Sequence, residues 1–250
     1  MEKILNEKIA VVTGGTRGIG FSIVRKFLEE GARVILCGSR EATAHNAVEK
    51  ILTENPEAPV EAIWPDLTDP EAVGKAFADI VARHGRIDIL VNNAGIVQRT
   101  SFYDYTPEEY DSIMDLNVKA LVVASQAAAR HMREQGKGVI INTSSMVSIY
   151  GQPAGVMYPA SKAAVNGITK SLARELGKDG IRVTSVAPGV VRTDMVAKLP
   201  AELVQPIVNR IPLGRMAEPD EIADAFVFLA SDRASYITGS IISVDGGDVN

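Results

Sequence analysis

The chain has 250 residues, and its 26 Lys and Arg residues against 31 Asp and Glu residues give a net charge of −5. This balance leaves no general positive field for nucleic acid, while 46% hydrophobic and 23% charged residues are typical of a globular domain with a sizeable core. A single cysteine, three scattered histidines and the lack of any apolar run of the roughly 20 residues that span a bilayer lead us to expect a cytoplasmic, metal-free protein.

Short runs rich in β-branched residues alternate with longer amphipathic segments along the chain. Runs of this kind are typical of strands that are buried on both faces. They occur at residues 9–12, 34–36, 60–64, 87–91, 139–141 and 183–186. Helical spacing occurs between them at residues 23–30, 41–52, 70–83, 110–133 and 156–176. The alternation predicts βαβ units around a parallel sheet.

The predicted architecture is a single-domain, doubly wound α/β fold of the Rossmann type, with about seven strands and helices on both faces of the sheet. No linker, repeat or low-complexity tract divides residues 1–250. Residues 189–219 interrupt the βα rhythm and contain four prolines, so we expect a substrate-binding loop that acts as a lid. Ligands of such folds bind at the carboxyl ends of the strands, so function should collect in the loops that follow them.

A glycine-rich loop directly follows the first predicted strand. Its candidate cofactor-binding residues are Gly14, Thr16, Arg17, Gly18, Ile19 and Gly20. Glycines here let the backbone turn tightly and let phosphates approach main-chain N–H groups at a helix N-terminus. A plain tight turn would use similar residues, but the position between the first strand and the first helix favours a dinucleotide pyrophosphate site.

The end of the second strand bears on the choice between NAD and NADP. An acidic side chain there would accept hydrogen bonds from the ribose 2′-hydroxyl, whereas this chain has Gly38, Ser39 and Arg40. Arg17 and Arg40 can flank a 2′-phosphate while the Ser39 hydroxyl donates to it. We therefore expect NADP(H) to be preferred over NAD(H). The alternative is that Arg40 is an ordinary surface residue beside Glu41.

Two further loops match cofactor contacts. Asp66, with Leu67 beside it, follows the third predicted strand, where its carboxylate can accept a hydrogen bond from the adenine amino group. Asn93, Ala94 and Gly95 follow the next strand and are expected to run beside the ribose. Each segment alone is an ordinary strand-end turn, but together with the glycine loop they indicate a dinucleotide site.

A candidate catalytic group lies in the second half of the chain. Tyr158 and Lys162 are four residues apart at the start of a predicted helix, so their side chains share one face, and Ser145 lies in the loop after the fifth strand. An ammonium neighbour and a nicotinamide cation would favour the phenolate form of Tyr158. We predict Tyr158 as the acid/base, Ser145 as a donor to a substrate carbonyl oxygen and Lys162 as a ribose ligand. A surface helix contact is the alternative for the Tyr/Lys pair.

In order and spacing, these motifs resemble those of classical short-chain dehydrogenases/reductases over essentially the whole chain. The resemblance rests on the glycine loop, residues 92–95, Ser145, the Tyr158 and Lys162 pair and Pro188-Gly189. It implies an oxidoreductase that interconverts a ketone and a secondary alcohol by hydride transfer with a nicotinamide cofactor.

The resemblance also implies roles that the residues alone do not reveal. Asn117 would complete a catalytic tetrad, because its main-chain carbonyl holds a proton-relaying water in this family. Pro188 and Gly189 would bind the cofactor, and Val191 and Thr193 after them would contact the nicotinamide carboxamide. The family commonly forms homotetramers of 222 symmetry, here through residues 110–133 with 156–176 and through residues 241–250.

Two groups within the family are most similar to this chain. Residues 228–247 resemble 3-oxoacyl-[acyl-carrier-protein] reductases, whereas residues 13–21, 65–68 and 158–162 are similar to those of bacterial bile-acid hydroxysteroid dehydrogenases. The reductases bind their acidic partner through two arginines near the site entrance, and the matching positions here are Gly136 and Asp179. This departure weakens the case for acyl carrier protein as a partner, although Lys137 and Lys178 lie beside these positions and can substitute for the arginines.

The expected substrate pocket is mostly apolar and suits a small hydrophobic ketone or alcohol. Its predicted lining comprises Ile96, Val97, Met146, Val147, Gln152, Val156, Val190 and Met195, each of which is equally explained as ordinary core. Three alternatives remain: an NAD(H)-dependent dehydrogenase of the same family acting on another small alcohol, a non-catalytic NADP-binding sensor, and a sugar-nucleotide epimerase. The intact Ser145, Tyr158 and Lys162 disfavour the sensor, and the glycine spacing and chain length disfavour the epimerase.

Overall fold

Seven parallel strands form one sheet in the computed structural model, which describes residues 3–193, 205–206 and 208–248. The sheet has the strand order β3-β2-β1-β4-β5-β6-β7. The strands are β1 (Ile9–Thr13), β2 (Arg33–Cys37), β3 (Val60–Ile63), β4 (Ile89–Asn92), β5 (Gly138–Thr143), β6 (Ile181–Pro188) and β7 (Ile241–Val244). The expectation of a single-domain, Rossmann-like, doubly wound fold with seven strands is confirmed.

Helices cover both faces of this sheet. They are α1 (Gly18–Glu29), α2 (Glu41–Glu54), α3 (Pro70–His84), α4 (Pro107–Met114), α5 (Ala120–Gln135), α6 (Val147–Tyr150), α7 (Met157–Leu176) and α8 (Pro219–Ala230). Local sequence explains several of their ends. The Asp69 side chain accepts hydrogen bonds from two N–H groups of the first turn of α3, and Gly85 ends that helix in the left-handed region with φ of 79°. In the described residues, no helix is long and apolar enough to cross a membrane.

Alternate strand residues enter the two hydrophobic layers that flank the sheet. Val12 packs with Phe27 of α1 and Phe226 of α8 in one layer. Its neighbour Val11 packs with Phe77 of α3 in the other layer. Burying one such aromatic side chain stabilises the fold by about 1.5–3 kcal/mol. The two layers pack against both faces of the sheet, from whose carboxyl edge the functional loops extend.

The helix predicted over residues 110–133 differs from the observed structure. The chain forms α4 from Pro107, a π-helical turn over Asp115–Lys119, and then α5. Thr106 and Glu109 form a capping box, which explains the earlier start. The π turn coincides with Asn117, whose buried side chain is bonded to a neighbouring loop. Turns of this kind occur frequently at functional sites.

The chain after β7 packs between two parts of the substrate-loop region. Gly189 lies so close to Asp245 that an added Cβ would be 2.6 Å from the Asp245 Cα. The Leu213 N–H donates to the Gly246 carbonyl at 3.2 Å. Within the predicted lid, residues 194–204 and 207 lie outside the described residues, as do residues 249–250 of the predicted C-terminal interface.

Candidate active site

The glycine loop lies directly against the loop that follows β4. The Asn93 amide nitrogen donates to the carbonyls of Thr13 and Gly14, at 3.2 and 3.1 Å. The Thr13 hydroxyl accepts from the N–H groups of Asn93 and Ala94, at 3.0 and 3.1 Å. An added Cβ on Gly20 would lie 2.2 Å from the Gly14 carbonyl oxygen. The Asn93 amide therefore fixes the loop rather than pointing freely toward a ribose.

The start of α1 fits a dinucleotide pyrophosphate. Gly18 has φ of 53°, a region that favours glycine, and an added Cβ there would lie 3.4 Å from Thr193. The residue before the helix, Arg17, makes no side-chain cap, and the first turn holds no acidic residue. The first N–H groups of the helix are thus available to an anion, and a side chain at Gly18 would fill the space in front of them. The residues present fit a nicotinamide dinucleotide.

The end of β2 places exposed side chains beside this loop. Ser39 and Arg40 are exposed, as is Arg17, and neither arginine makes an ion pair with the described residues. Gly38 is enclosed, since an added Cβ would lie 2.9 Å from Thr16 Cγ2. Glu41, the acid that could have turned back toward a ribose, lies 3.8 Å from His45. The two arginines are therefore free to meet a phosphate.

Asp66 follows β3 at the same edge of the sheet. Its Oδ1 atom accepts from the Thr68 N–H at 2.8 Å and from the Thr68 hydroxyl at 2.7 Å. These hydrogen bonds lower the pKa of the Asp66 carboxyl, which stays ionised at neutral pH. The neighbouring Leu67 is partly buried. The carboxylate is exposed and held in one orientation, as an adenine contact would require.

The predicted catalytic side chains meet where the loop after β5 faces α7. The Lys162 Nζ atom donates to the Thr143 carbonyl at 2.7 Å and lies 5.9 Å from the centre of the Tyr158 ring. An added Cβ on Gly95 would lie 3.6 Å from the same Nζ atom. The Ser145 side chain lies near Tyr158 and lowers the pKa of its phenol, while its hydroxyl accepts from the Val147 N–H at 3.4 Å. The Lys162 Nζ atom thus lies among Thr143, Tyr158 and Gly95, which come from three different segments of the chain.

Burial sets the protonation of this pair. It raises the pKa of Tyr158, against the opposing effect of Ser145. It lowers the pKa of Lys162 to about 8. The sequence led us to expect that the ammonium would promote the phenolate, but in the chain alone desolvation outweighs that effect. The Tyr158 phenol is protonated at neutral pH, which suits a proton donor.

Asn117 is buried and joined to both the β4 loop and α7. Its Oδ1 atom accepts from the Ile96 N–H at 2.8 Å, and its Nδ2 atom donates to the Ile96 carbonyl at 2.9 Å. The same nitrogen donates to the Ser161 hydroxyl at 3.0 Å. That hydroxyl donates to the Tyr158 carbonyl at 2.7 Å. Asn117 is therefore linked to the backbone of Tyr158 through one hydroxyl.

The predicted pocket residues are distributed around this centre. Met146 and Val147 are 8% and 9% exposed, and the Met146 N–H donates to the Pro188 carbonyl at 3.0 Å. Gln152 uses its amide to bond the carbonyls of Gln98 and Gly155. The remaining predicted lining residues range from partly buried to exposed: Ile96, Val97, Val156 and Val190. Met195 lies outside the described residues.

The structure adds side chains that the sequence reasoning missed. The Thr13 hydroxyl binds the backbone of the loop after β4, the Thr143 main-chain carbonyl accepts from Lys162, and the Ser161 hydroxyl joins Asn117 to Tyr158. Val191, predicted at the nicotinamide, is only 5% exposed and belongs to the hydrophobic layer around Phe226. Ser161 directly precedes Lys162 on α7, and this position was the one sequence feature that could have indicated its link to Asn117 and Tyr158.

Comparison with known proteins yields consistent matches over nearly the whole chain. A family model described as enoyl-(acyl carrier protein) reductase matches residues 14–248. A 3alpha-hydroxysteroid dehydrogenase of Mediterraneibacter gnavus is 59% identical over 246 residues, covering 98% of both chains. The chain belongs to the short-chain dehydrogenase/reductase family. It is, like other members, an NAD(P)-dependent oxidoreductase.

Other members of this short-chain dehydrogenase/reductase family are more distant. The 3-oxoacyl-[acyl-carrier-protein] reductase FabG of Thermotoga maritima is 38% identical over 243 residues, covering 97% of this chain and 98% of the relative. FabG of Staphylococcus aureus is 41% identical over 242 residues, covering 96% and 97%. The crystal structure of gox2181 superposes with a TM-score of 0.94 at 37% identity, covering 99% of this chain and 98% of that one.

Proposed function

We propose that this short-chain dehydrogenase/reductase is an NADP(H)-dependent enzyme that interconverts a hydroxysteroid and its ketone. The observation that carries the substrate class is the difference in identity among relatives. The chain is 59% identical to a relative named 3alpha-hydroxysteroid dehydrogenase, but 38–41% identical to relatives named 3-oxoacyl-[acyl-carrier-protein] reductase. Reduction of a 3-oxoacyl thioester is the second candidate, which the FabG relatives favour.

The surface near the end of α5 argues against an acyl carrier protein. Gly136 ends the helix in the left-handed region with φ of 66°, so it offers no side chain to an acidic partner. The neighbouring Lys137 is already paired with Asp232, with its Nζ atom 3.0 Å from the carboxylate. Asp179 adds a negative charge nearby, which would repel an acidic partner. Only Lys178 remains as a cation of this group.

Tyr158 acts as the proton donor in the reductive direction of this proposal. Its phenol is protonated at neutral pH because burial raises its pKa. As the substrate carbonyl gains a pair of electrons, its oxygen takes the Tyr158 proton, while the Ser145 hydroxyl donates a hydrogen bond to the same oxygen. When bound, the nicotinamide supplies the hydride. In the oxidative direction the same tyrosine, as phenolate, accepts the proton of the alcohol.

Lys162 and Asn117 support this centre. Lys162 has one hydrogen bond to Thr143, which leaves further donors on its ammonium for the ribose of a bound dinucleotide. Asn117 lies in the π-helical turn and reaches α7 through Ser161. We assign to its main-chain carbonyl the relay of a proton, through a water, toward Lys162. Pro188, Gly189 and Thr193 complete the cofactor contacts in this proposal.

The preference for NADP(H) is part of the same proposal. Arg17 and Arg40 are exposed at the edge where β1 and β2 end, and the described residues offer neither an ion-pair partner. The Ser39 hydroxyl is exposed beside them. A 2′-phosphate carries about two negative charges and would gain charge-assisted hydrogen bonds from both guanidinium groups.

Residues 189–219 are proposed as the loop that covers the substrate. Two described parts of this loop are held by β7 and the residues after it: the Gly189 N–H donates to the Val244 carbonyl at 3.0 Å, and the Leu213 N–H donates to the Gly246 carbonyl at 3.2 Å. These bonds fix where the loop leaves and rejoins the domain.

A homotetramer is proposed from the exposed face of α5 and α7. A shallow cavity of about 580 Å³ runs between the two helices. It is lined by apolar residues and by charged side chains that make no ion pair with the described residues: Arg130, Arg133, Glu175, Lys178 and Asp179. Arg130 and Arg133 lie on α5, whereas Glu175 lies on α7 and Asp179 lies in the turn that follows it, so two copies related by a two-fold axis can pair the opposite charges. A second contact through residues 241–250 would complete 222 symmetry.

The test is a steady-state assay of the full chain. A 3-ketosteroid, a 3α-hydroxysteroid and a 3-oxoacyl thioester are offered with NADPH, NADH or their oxidised forms. We expect kcat/KM for the steroid pair to exceed that for the thioester by at least tenfold. Tyr158→Phe is expected to abolish turnover while retaining cofactor binding, because only the phenolic hydroxyl is lost. Preference for the thioester would overturn the substrate class, and turnover by Tyr158→Phe would overturn the mechanism.

A further inference from the structure

The face of α7 that carries Tyr158 and Lys162 continues to Asn166. The three residues are spaced by four positions, so their side chains lie one above another on the helix. Asn166 is partly buried, and its Nδ2 atom donates to the Ser148 hydroxyl at 2.8 Å. Its Oδ1 atom is buried and has no hydrogen-bond partner among the described residues. A buried amide that is only half satisfied is costly, and its retention calls for an explanation.

Ser148 belongs to α6, the single helical turn that follows Ser145. This helix has four residues and no side-chain cap at its start, so its own hydrogen bonds do not hold it in place. The Ser148 hydroxyl lies 3.2 Å from the Ser144 hydroxyl, which donates to the Lys162 carbonyl at 3.3 Å. Ser144 is 2% exposed. A continuous set of side-chain bonds therefore runs from Asn166 through Ser148 and Ser144 to the backbone of Lys162.

This set of bonds brackets Ser145. On its other side, the loop is bonded to β6 through backbone alone: the Ser144 N–H donates to the Val186 carbonyl at 2.8 Å, and the Met146 N–H to the Pro188 carbonyl at 3.0 Å. The bonds to β6 fix the height of the loop above the sheet. The side-chain bonds to α7 fix its approach to Tyr158. Both are needed to define the position of one hydroxyl against another.

We propose that Asn166 is a positioning residue, which holds α6 against α7 through Ser148 and thereby sets the Ser145 hydroxyl against the Tyr158 phenol. The inference rests on the proposed function for the roles of Ser145 and Tyr158, and assigns Asn166 no contact with substrate or cofactor. The variant Asn166→Leu keeps similar volume and removes the amide. Ser148→Ala removes the acceptor from the other end.

The first test measures the Tyr158 phenol in the free protein by NMR with 13C-labelled tyrosine, assigned through Tyr158→Phe. Ser145 lowers the pKa of Tyr158, and Lys162 is the charged group that lies against the ring among the described residues. We expect Asn166→Leu and Ser148→Ala to raise the Tyr158 pKa toward the value in Ser145→Ala. In Ser145→Ala, adding Asn166→Leu is expected to produce no further shift. Gln135→Leu is the matched control, because its amide bonds only backbone groups at the other edge of the sheet, including Ile87.

The second test uses turnover of a 3-ketosteroid with NADPH. We expect Asn166→Leu to lower kcat about tenfold, with the NADPH dissociation constant changed less than twofold, and to have little further effect when Ser145 is already alanine. An unchanged Tyr158 pKa in Asn166→Leu, or an equal loss of kcat with and without Ser145, would overturn the positioning role. Full activity of Ser145→Ala or Tyr158→Phe would instead overturn the proposed function, so the two failures are distinct.

Discussion

The Lys162 Nζ atom lies 5.9 Å from the centre of the Tyr158 ring, and burial shifts the pKa values of the two groups in opposite directions. The pKa of Lys162 falls to about 8, whereas the pKa of Tyr158 rises. Both shifts favour the uncharged form of the group, because burial penalises the charged form. At neutral pH Tyr158 is uncharged in the folded and unfolded chain alike, so the cost in stability comes from the buried Lys162 ammonium, and a bound anionic cofactor can offset it.

This cost predicts the effect of Lys162→Met. The ordinary pKa of lysine is 10.5, so between pH 8 and 10.5 the unfolded chain binds a proton that the folded chain does not. The linkage makes the wild-type protein more stable as pH rises through this window, and below pH 8 the buried ammonium costs about 3 kcal/mol. We expect Lys162→Met to be at least as stable as the wild type at pH 7 and to lack this pH dependence.

Urea unfolding of the wild type and of Lys162→Met at pH 7, 8, 9 and 10 measures this pH dependence of stability. The Thr143 carbonyl loses its donor in the variant, which offsets about 1 kcal/mol of the gain. A variant that is less stable by the same margin at every pH would contradict the expected linkage.

The arginines at the nucleotide edge predict cofactor choice. Charge-assisted hydrogen bonds contribute about 1.5–3 kcal/mol each, so we expect roughly tenfold or stronger binding of NADPH over NADH. Ser39→Asp combined with Arg40→Ala is expected to invert this order, since it adds an acceptor for the ribose hydroxyls and removes a cation. Ser39 is the position to change because a side chain at Gly38 would collide with Thr16.

Dissociation constants from fluorescence titration test this without a substrate. Arg25→Ala is the control, because that guanidinium pairs with Glu54 on the helices behind the loop. Equal binding of both cofactors by the wild type would show that the two arginines do not contact the phosphate.

The charges on α5 and α7 predict the assembly state. Arg130→Glu with Arg133→Glu places like charges across the proposed two-fold contact, and we expect the tetramer to dissociate to dimers. Adding Glu175→Arg and Asp179→Arg restores opposite signs and is expected to restore the tetramer. Sedimentation velocity at micromolar concentration measures both, with Lys50→Glu and Lys75→Glu as an exposed control pair. A wild-type monomer would contradict the proposed assembly.

Tyr150 and Asp248 predict a contribution of the C-terminal tail to stability. The Tyr150 hydroxyl donates to Asp248 at 3.3 Å, and the Asp248 side chain is 4% exposed. Arg210 lies 3.8 Å away on the substrate-loop side. Tyr150→Phe removes one partner of a buried carboxylate, so we expect it to lower the free energy of unfolding by about 1–3 kcal/mol.

The same contact has a pH signature. Burial and the neighbouring Asp248 carboxylate raise the pKa of Tyr150 to about 12. The stabilising contribution of the protonated Tyr150 hydroxyl is therefore complete below pH 10 and is lost as pH rises from 10 to 12. Unfolding measurements at pH 9 and 11 should show a smaller loss in Tyr150→Phe than in the wild type. If both proteins lost the same unfolding free energy between pH 9 and 11, the pH dependence would come from groups other than Tyr150.

Much of the fold could be predicted because parallel strands that are buried on both faces have continuous apolar runs in their sequence. The glycine loop and the Tyr158 and Lys162 pair were also visible, since each is encoded within a few residues. Residues 110–133 are helical as predicted, but they include a π turn at Asn117, whose partner Ile96 is 21 residues away. A helical period carries no information about such a distant bond.

The supporting side chains were harder to find for the same reason. Asn166 bonds Ser148 across 18 residues, and Tyr150 bonds Asp248 across 98 residues. Serine and asparagine at these positions are common at helix ends and in loops, so their types alone predict no function. Only the packing of α6 on α7 and on the C-terminal tail reveals which polar residues are connected.

The strand order also governs how the chain can fold during synthesis. As the ribosome releases each strand, the partner edge is already present: β2 and β3 extend one side of β1, and β4 through β7 extend the other side one at a time. No strand has to be inserted between two that are already paired. A nascent chain that ends before residue 138 exposes the β-branched edge of β4, and that edge is where we expect chaperones to bind or aggregation to begin.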